Sequence, residues 1–454
     1  MFMEKKLFSV LLLFLITVNG ISQFKTDYKP VKYGGSTSRL TRTAFFKKNA
    51  FKYNTTDKVV ISKFNDFLYE LHLGYAYSSK KKYFIDEPFM KKYVQSIVDT
   101  VLKANQLTEK IQVVITRSAV PNAYNMGDNK LYVNIGILKK LENEAQLAYL
   151  LCHELSHQLL FHVQDNFIAA EKRRKDKILK KEIKDINRAR YNKLDMTVSL
   201  LKTINYDMAK YSRSKEREAD SMALILLAKT PYNCLESDGL MNILDHAEKD
   251  STEVIYTKHF ESKDFFLEDS WMTAKPKRLD FGDKKIIEFD KDSMKTHPDV
   301  PHRMKMLKEQ ITSLKYTDGN KVEFLQPKTT FDSVVAVSAF EEIEVYNKNK
   351  RYAAVVFYAL CMLEDRPDNV YLHKQISLGL HTIVKKVKDH TIQNFVPIES
   401  KDLPESYNKF LRLIDRTSTE DITTILRNYI NNYYPKMSSV AEIKPIYDEV
   451  NKKN

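Results

Sequence analysis

The sequence predicts an α+β protein that is predominantly helical, with a small β-sheet ahead of an all-α C-terminal region. Three observations carry this. Ten glycines and thirteen prolines in 454 residues are too few for a disordered or fibrous chain, or for an all-β one built on tight turns. Helical stretches rich in Leu, Lys, Glu and Ala dominate. Short β-like runs stand out only between about 111 and 137. The length suits two or three domains, and 43% hydrophobic residues suffice for a sizeable core.

The net charge is +14, from 73 basic and 59 acidic residues. The two signs are interspersed. No zinc-finger spacing, RNP-type aromatic pattern or glycine-rich phosphate loop is visible, so no nucleic-acid partner is expected. A basic balance of this size is compatible with peripheral association at the cell envelope. Cys152, Cys234 and Cys361 form no C-x-x-C and no disulfide framework. Cys152 reads as a small core residue, and a Cys234–Cys361 bridge stays open.

In chain order, residues 1–22 read as an export signal. Lys5 and Lys6 precede an apolar run from Leu7 to Val18, and the small residues Gly20 and Ser22 follow. This implies a periplasmic or secreted protein; the alternative is an uncleaved N-terminal anchor. Residues 23–57 give no clear pattern. Residues 58–79 and 86–106 read as helices, the second starting at Asp86-Glu87-Pro88. Ile111 to Ile115 is a strand candidate. Asn122 to Met126 and Lys130 to Ile135 flank Gly127-Asp128-Asn129 and read as a hairpin. An edge strand at Asn122, Ala123 and Tyr124 would accept an extended peptide by β-augmentation.

A helix is expected over about 142–161, buried through Leu147, Leu150, Leu151, Leu155 and Leu159. It carries His153-Glu154-Leu155-Ser156-His157. Positions i and i+4 share a helix face, so both imidazoles reach one metal ion with Glu154 alongside. This is the H-E-x-x-H arrangement of zinc peptidases. His162, five residues on, is too far round the helix to join easily and reads as structural. Residues 163–210 look like an inserted, highly charged helical hairpin. The next helix, through about Ala228, places Glu216 and Asp220 four apart. A catalytic zinc wants three protein ligands and an open position. Glu216 completes that set, and Asp220 is placed to hold the free ring nitrogen of a ligand histidine. Glu218 points elsewhere. Residues 231–295 read as irregular. His297 and Arg303 follow across a loop-to-helix turn.

Beyond about Tyr316 the pattern is helical: 340–349, 351–364, 369–385, 408–416 and 420–432. Tyr352 and Pro367 are spaced as in one tetratricopeptide unit, although a generic helical domain fits as well. The domains expected are a signal at 1–22, a peptidase domain at 23–317 and a helical domain at 318–454.

With these residues in hand, the chain resembles metallopeptidase family forty-eight, which takes in the CAAX prenyl protease, HtpX-type membrane proteases and soluble periplasmic proteases. The resemblance covers roughly Phe84 to Leu307, with its pieces in the family order. It implies a zincin-type domain in which His153, His157 and Glu216 bind one Zn2+ and Glu154 is the general base. It also makes Asn122 to Tyr124 a substrate edge. His297 and Arg303 become candidates to steady an oxyanion, or His297 a cap on the zinc. The export signal and helical extension resemble the periplasmic members that act in protein quality control. The expected substrates are unfolded or misassembled proteins, with the C-terminal helices available to protein partners. The competing expectation is a chaperone-like scaffold with a latent, self-capped zinc site.

Overall fold

The computed structural model describes residues 24–31, 39–175, 212–246, 254, 256–274, 300–313, 321–400 and 403–452, with isolated positions 181, 184 and 188. The signal expected at 1–22, most of the basic insertion beyond Lys175, and His297 lie outside the described residues. No described helix is long and apolar enough to cross a membrane.

The described residues fall into two compact units. The first holds 39–175, 212–245, 300–313 and 321–328. Its helices are α1 (Arg42–Lys48), α2 (Lys58–Lys80) and α3 (Pro88–Ala104), then α4 (Ile135–Leu138), α5 (Glu144–Leu159), α6 (His162–Lys175), α7 (residues 212–228) and α8 (Glu236–His246). Two short helices, α9 (Tyr256–Phe260) and α10 (Asp269–Met272), belong to the second unit, and α11 (Val300–Ser313) returns to the first.

The sheet of the first unit runs in the order β1 (Phe84–Ile85), β2 (Gln112–Thr116), β4 (Lys130–Asn134), β3 (Ala123–Asn125). β2 and β4 are parallel, with Val113 opposite Leu131 and Ile115 opposite Val133. These four side chains share one face and are essentially inaccessible. Burying each such side chain contributes about 1.5–3 kcal/mol. α3 and α5 pack on the sheet. The other face carries Tyr132, which meets Tyr75 of α2 edge-on.

β3 pairs antiparallel with β4 and is the sheet's edge. The turn between them works as its residues suggest. Asn125 Oδ1 accepts from the Gly127 amide at 2.9 Å, and Gly127 takes φ +74°. After β4 the chain passes close to its own backbone: a Cβ on Gly136 would lie 2.2 Å from the Ala119 carbonyl oxygen. Glycine is required there.

α5 is the centre of the unit. Asn143 caps it, its Oδ1 accepting from the Gln146 amide at 2.9 Å. Every residue from Glu144 to Ser156 is buried, as a helix surrounded by protein should be. Buried Glu144 accepts hydrogen bonds from the hydroxyls of Tyr93 and Tyr232, tying α5 to α3 and to the segment after α7. α5 is shorter than the sequence suggests. It stops at Leu159, and Phe161 turns the chain with φ +56°.

Two sequence expectations change here, and one open reading is answered. The stretch 231–295 is not wholly irregular, since it contains α8, α9 and α10. α9 and α10 are too short to show periodicity, and Gly239 interrupts the pattern of α8. That glycine is tolerated because a Cβ would lie 2.7 Å from Gln146 Nε2. None of the three cysteines is in a disulfide, so Cys234 and Cys361 are not bridged. Lastly, residues 24–31 and 256–274 cluster with the C-terminal helices rather than with the unit that holds α5.

The second unit is all helical: α9 and α10, then α12 (Lys328–Lys348), α13 (Tyr352–Leu363), α14 (Val370–Lys388), α15 (Glu405–Arg416), α16 (Thr419–Met437) and α17 (Lys444–Val450). α14 packs between α13 and α16. The N-terminal segment is bound here through Tyr28. Its ring stacks on Phe340 at 4.3 Å, and its hydroxyl donates to buried Glu341 at 2.7 Å. No periodic signal could reveal a contact spanning that much of the chain.

Candidate metal centre

His153 and His157 project from one face of α5, one turn apart, and Glu216 faces them from α7. His153 Nε2 lies 3.1 Å from His157 Nε2. The Glu216 carboxylate comes within 3.4 Å of His153 Nε2 and 3.5 Å of His157 Nε2. Tetrahedral zinc with metal–ligand distances of about 2.0–2.2 Å separates its ligand atoms by about 3.3–3.5 Å. The two ring nitrogens and the Glu216 carboxylate, which meets each ring through a different oxygen, therefore converge on one point at about the spacing a metal ion needs. Among the described residues they are the group whose donor atoms converge in this way, all within 4.8 Å of one another. Two neutral imidazoles and a carboxylate fit zinc and leave a fourth position for solvent or substrate.

Behind this triad lies a buried charge network. His153 Nδ1 donates to Asp220 Oδ1 at 2.9 Å, which leaves Nε2 with its lone pair toward the centre. Asp220 is 3% exposed. Arg303, on α11 and 1% exposed, grips it with both prongs: Nε to Oδ2 at 2.6 Å and Nη2 to Oδ1 at 2.7 Å. Arg303 Nη1 also sits 3.2 Å from Glu216 Oε2. Tyr149, on α5, donates its hydroxyl to Asp220 Oδ1 at 3.3 Å. Burial would push the Asp220 carboxyl up, but the Arg303 guanidinium and His153 hold it well below the usual carboxylate range. Burial opposes charge on His153, yet the bonds to Asp220 and Glu216 prevail and raise it to about 10. A metal ion taking His153 Nε2 thus competes with a proton held by these carboxylates.

Arg303 is a correction to the sequence reading. The sequence makes it a candidate to steady an oxyanion, which requires donors facing substrate. It is instead sealed behind the triad, with its charge committed to Asp220 and Glu216. Glu154 follows His153 on α5 and is buried. Asn122 and Ala123 are buried and Tyr124 half-buried at the outer end of the sheet, where β3 packs against α5. Glu218 is exposed, as the sequence reading expects of a surface or salt-bridge residue.

Sequence reasoning missed one neighbour of the triad. A continuous helix would carry His162 away from His157. The helix is not continuous, and His162 Nδ1 lies 2.9 Å from His157 Nδ1. It also missed Tyr149, whose role needs a contact between two helices that no local pattern encodes.

A comparison with protein-family models matches residues 88–311 to peptidase family M48. No curated protein matches the chain. The matched span contains strands β2 to β4, α5, the 212–228 helix and nearly all of α11, and so every element that supplies the triad and the residues behind it.

Proposed function

Residues 88–311 place this chain in peptidase family M48, whose members are zinc metallopeptidases, and from that premise we propose that it is a zinc endopeptidase of the cell envelope acting on unfolded or misassembled proteins. The observation that carries the zinc assignment is the convergence of His153 Nε2, His157 Nε2 and the Glu216 carboxylate, with donor atoms within 4.8 Å of one another, backed by Asp220 and Arg303. His153, His157 and Glu216 would hold the ion. When bound, zinc supplies Lewis acidity, polarising a scissile carbonyl and making water a nucleophile at neutral pH.

The chain's own residues do the rest. Glu154 takes a proton from the attacking water on its carboxylate and returns it to the leaving amine nitrogen. Asp220 keeps the proton of His153 on Nδ1, so that Nε2 stays a donor to the metal. The unpaired edge of β3 offers backbone groups to an extended peptide, and only an unfolded segment can pair with it. An edge of this kind reads backbone rather than chain ends, which favours endopeptidase action. The helical unit would engage the protein partner, and the N-terminal Lys5–Val18 pattern supports export to the envelope.

The test is Glu154→Gln in the mature chain. It is expected to retain one zinc per chain and to lose about 10²–10⁴-fold in hydrolysis of an unfolded protein. It should also fail on a peptide blocked at both ends that the parent cleaves. Cleavage at the parental rate would remove the mechanism. Hydrolysis by the parent only of substrates with a free terminus would remove the endopeptidase assignment.

A further inference from the structure

We propose that His162 is a positioning residue for the metal centre: its Nδ1 accepts the hydrogen bond of His157 Nδ1–H and so aims His157 Nε2 at the ion. The proposal rests on the zinc reading of His153, His157 and Glu216 given above. In a neutral imidazole one nitrogen carries the proton and the other accepts. If Nε2 of His157 is to bind a metal, its proton sits on Nδ1, and the atom facing that proton at 2.9 Å is His162 Nδ1. His162 must then carry its own proton on Nε2, and the group beyond Nε2 is the carboxylate of Glu218, at 3.4 Å. The His157–His162 bond thus has one consistent assignment of donor and acceptor, with Glu218 the carboxylate that Nε2 of His162 faces.

The two ligand histidines are supported differently. His153 leans on a buried carboxylate that is itself clamped by Arg303. His157 leans on an imidazole backed by a carboxylate at the surface. Three features hold His162 in place. Had α5 continued, position 162 would lie about 140° round the axis from His157. The turn at Phe161, with φ +56°, stops α5 and starts α6 on His162, so the ring folds back. A bulky residue in the left-handed region is unfavourable and persists only where the surroundings impose it. Lys215 of α7, itself buried, donates through Nζ to the His162 carbonyl at 3.1 Å and to Asp165 at 3.0 Å. The His162 side chain is buried, so the ring has no other orientation open to solvent.

The experiment measures zinc affinity of the full chain by competition with a chromophoric chelator, alongside thermal melting of the zinc-free protein. His162→Asn places an acceptor oxygen where Nδ1 was; His162→Leu keeps bulk without one; His162→Gln carries its acceptor one bond too far. His162→Leu should raise the zinc dissociation constant about 10- to 100-fold, the usual consequence of removing the partner of a ligand histidine. His162→Asn should stay close to the parent, and His162→Gln should fall between. Parental affinity in His162→Leu would overturn the proposal, as would equal weakening in the Asn and Leu variants, which would reduce His162 to packing. If His162→Leu does not fold, the Asn and Gln pair decides: tighter binding by Asn supports the proposal and equality overturns it. A parent that binds no zinc would overturn the ligand assignment and this inference with it. A parent that binds while the variants do not differ overturns this inference alone.

Discussion

The Asp220–Arg303 pair is the feature whose removal should be felt in both stability and metal affinity. Asp220→Ala leaves the Arg303 guanidinium, 1% exposed, with Glu216 Oε2 at 3.2 Å as the one remaining carboxylate partner among the described residues. Breaking a buried pair from one side costs about 3–5 kcal/mol, because the surviving charge stays desolvated. Arg303→Met should cost a similar amount by stranding the Asp220 carboxylate. The double variant removes both charges at once. It should therefore be less destabilised than the sum of the single variants, by about 2–3 kcal/mol. Urea unfolding of the zinc-free chain, read by tyrosine fluorescence and circular dichroism, gives all three values. The same variants separate the two roles of Asp220. Without its carboxylate, His153 Nδ1 loses its partner, and zinc affinity should fall about 10- to 100-fold. Arg303→Met leaves the His153–Asp220 bond and should cost less affinity. Additive destabilisation, or unchanged zinc binding in Asp220→Ala, would refute the reasoning.

Other consequences follow from particular contacts. Removing zinc with a chelator should lower the melting temperature, since a ligand at 1,000 times its dissociation constant stabilises by about 4 kcal/mol; an unchanged melting curve would count against a metal held by the folded state. Gly136→Ala should destabilise by about 3 kcal/mol, because its methyl would lie 2.2 Å from the Ala119 oxygen; a neutral effect in urea would contradict that close approach. In the helical unit, His373 is buried and pushed down to about 4 by desolvation, while it bonds Tyr429 and the Pro367 carbonyl. Its folded value lies below the ordinary 6.5. The unfolded chain therefore takes the proton first on acidification. Stability is complete above about pH 6.5 and is lost as pH falls toward 4, by as much as about 3 kcal/mol. His373→Gln should flatten that part of the pH–stability curve, and an unaltered slope would place the effect elsewhere.

What was legible in the sequence was local. The 3.6-residue period of apolar positions marks α2, α3, α5 and the C-terminal helices, and Gly127-Asp128-Asn129 marks the hairpin turn. The i and i+4 spacings put His153 with His157, and Glu216 with Asp220, because a helix stacks those positions whatever surrounds it. The same locality explains the errors. Arg303 looked available to substrate because nothing in its neighbourhood names Asp220, 83 residues away, as its partner. His162 looked remote because helical spacing was carried past Leu159, where the helix ends.

By itself, then, the sequence determined that one helix carries two imidazoles and a glutamate on chemistry-bearing spacings, and that a second helix carries two carboxylates. The tertiary structure decided the rest. It brought the two helices within one metal's span, buried Asp220 so that its charge had to be answered by Arg303, and turned the chain at Phe161 so that His162 faces His157. The physical reason is one of range. Backbone periodicity acts over a few residues, whereas desolvation acts on whatever packing brings together.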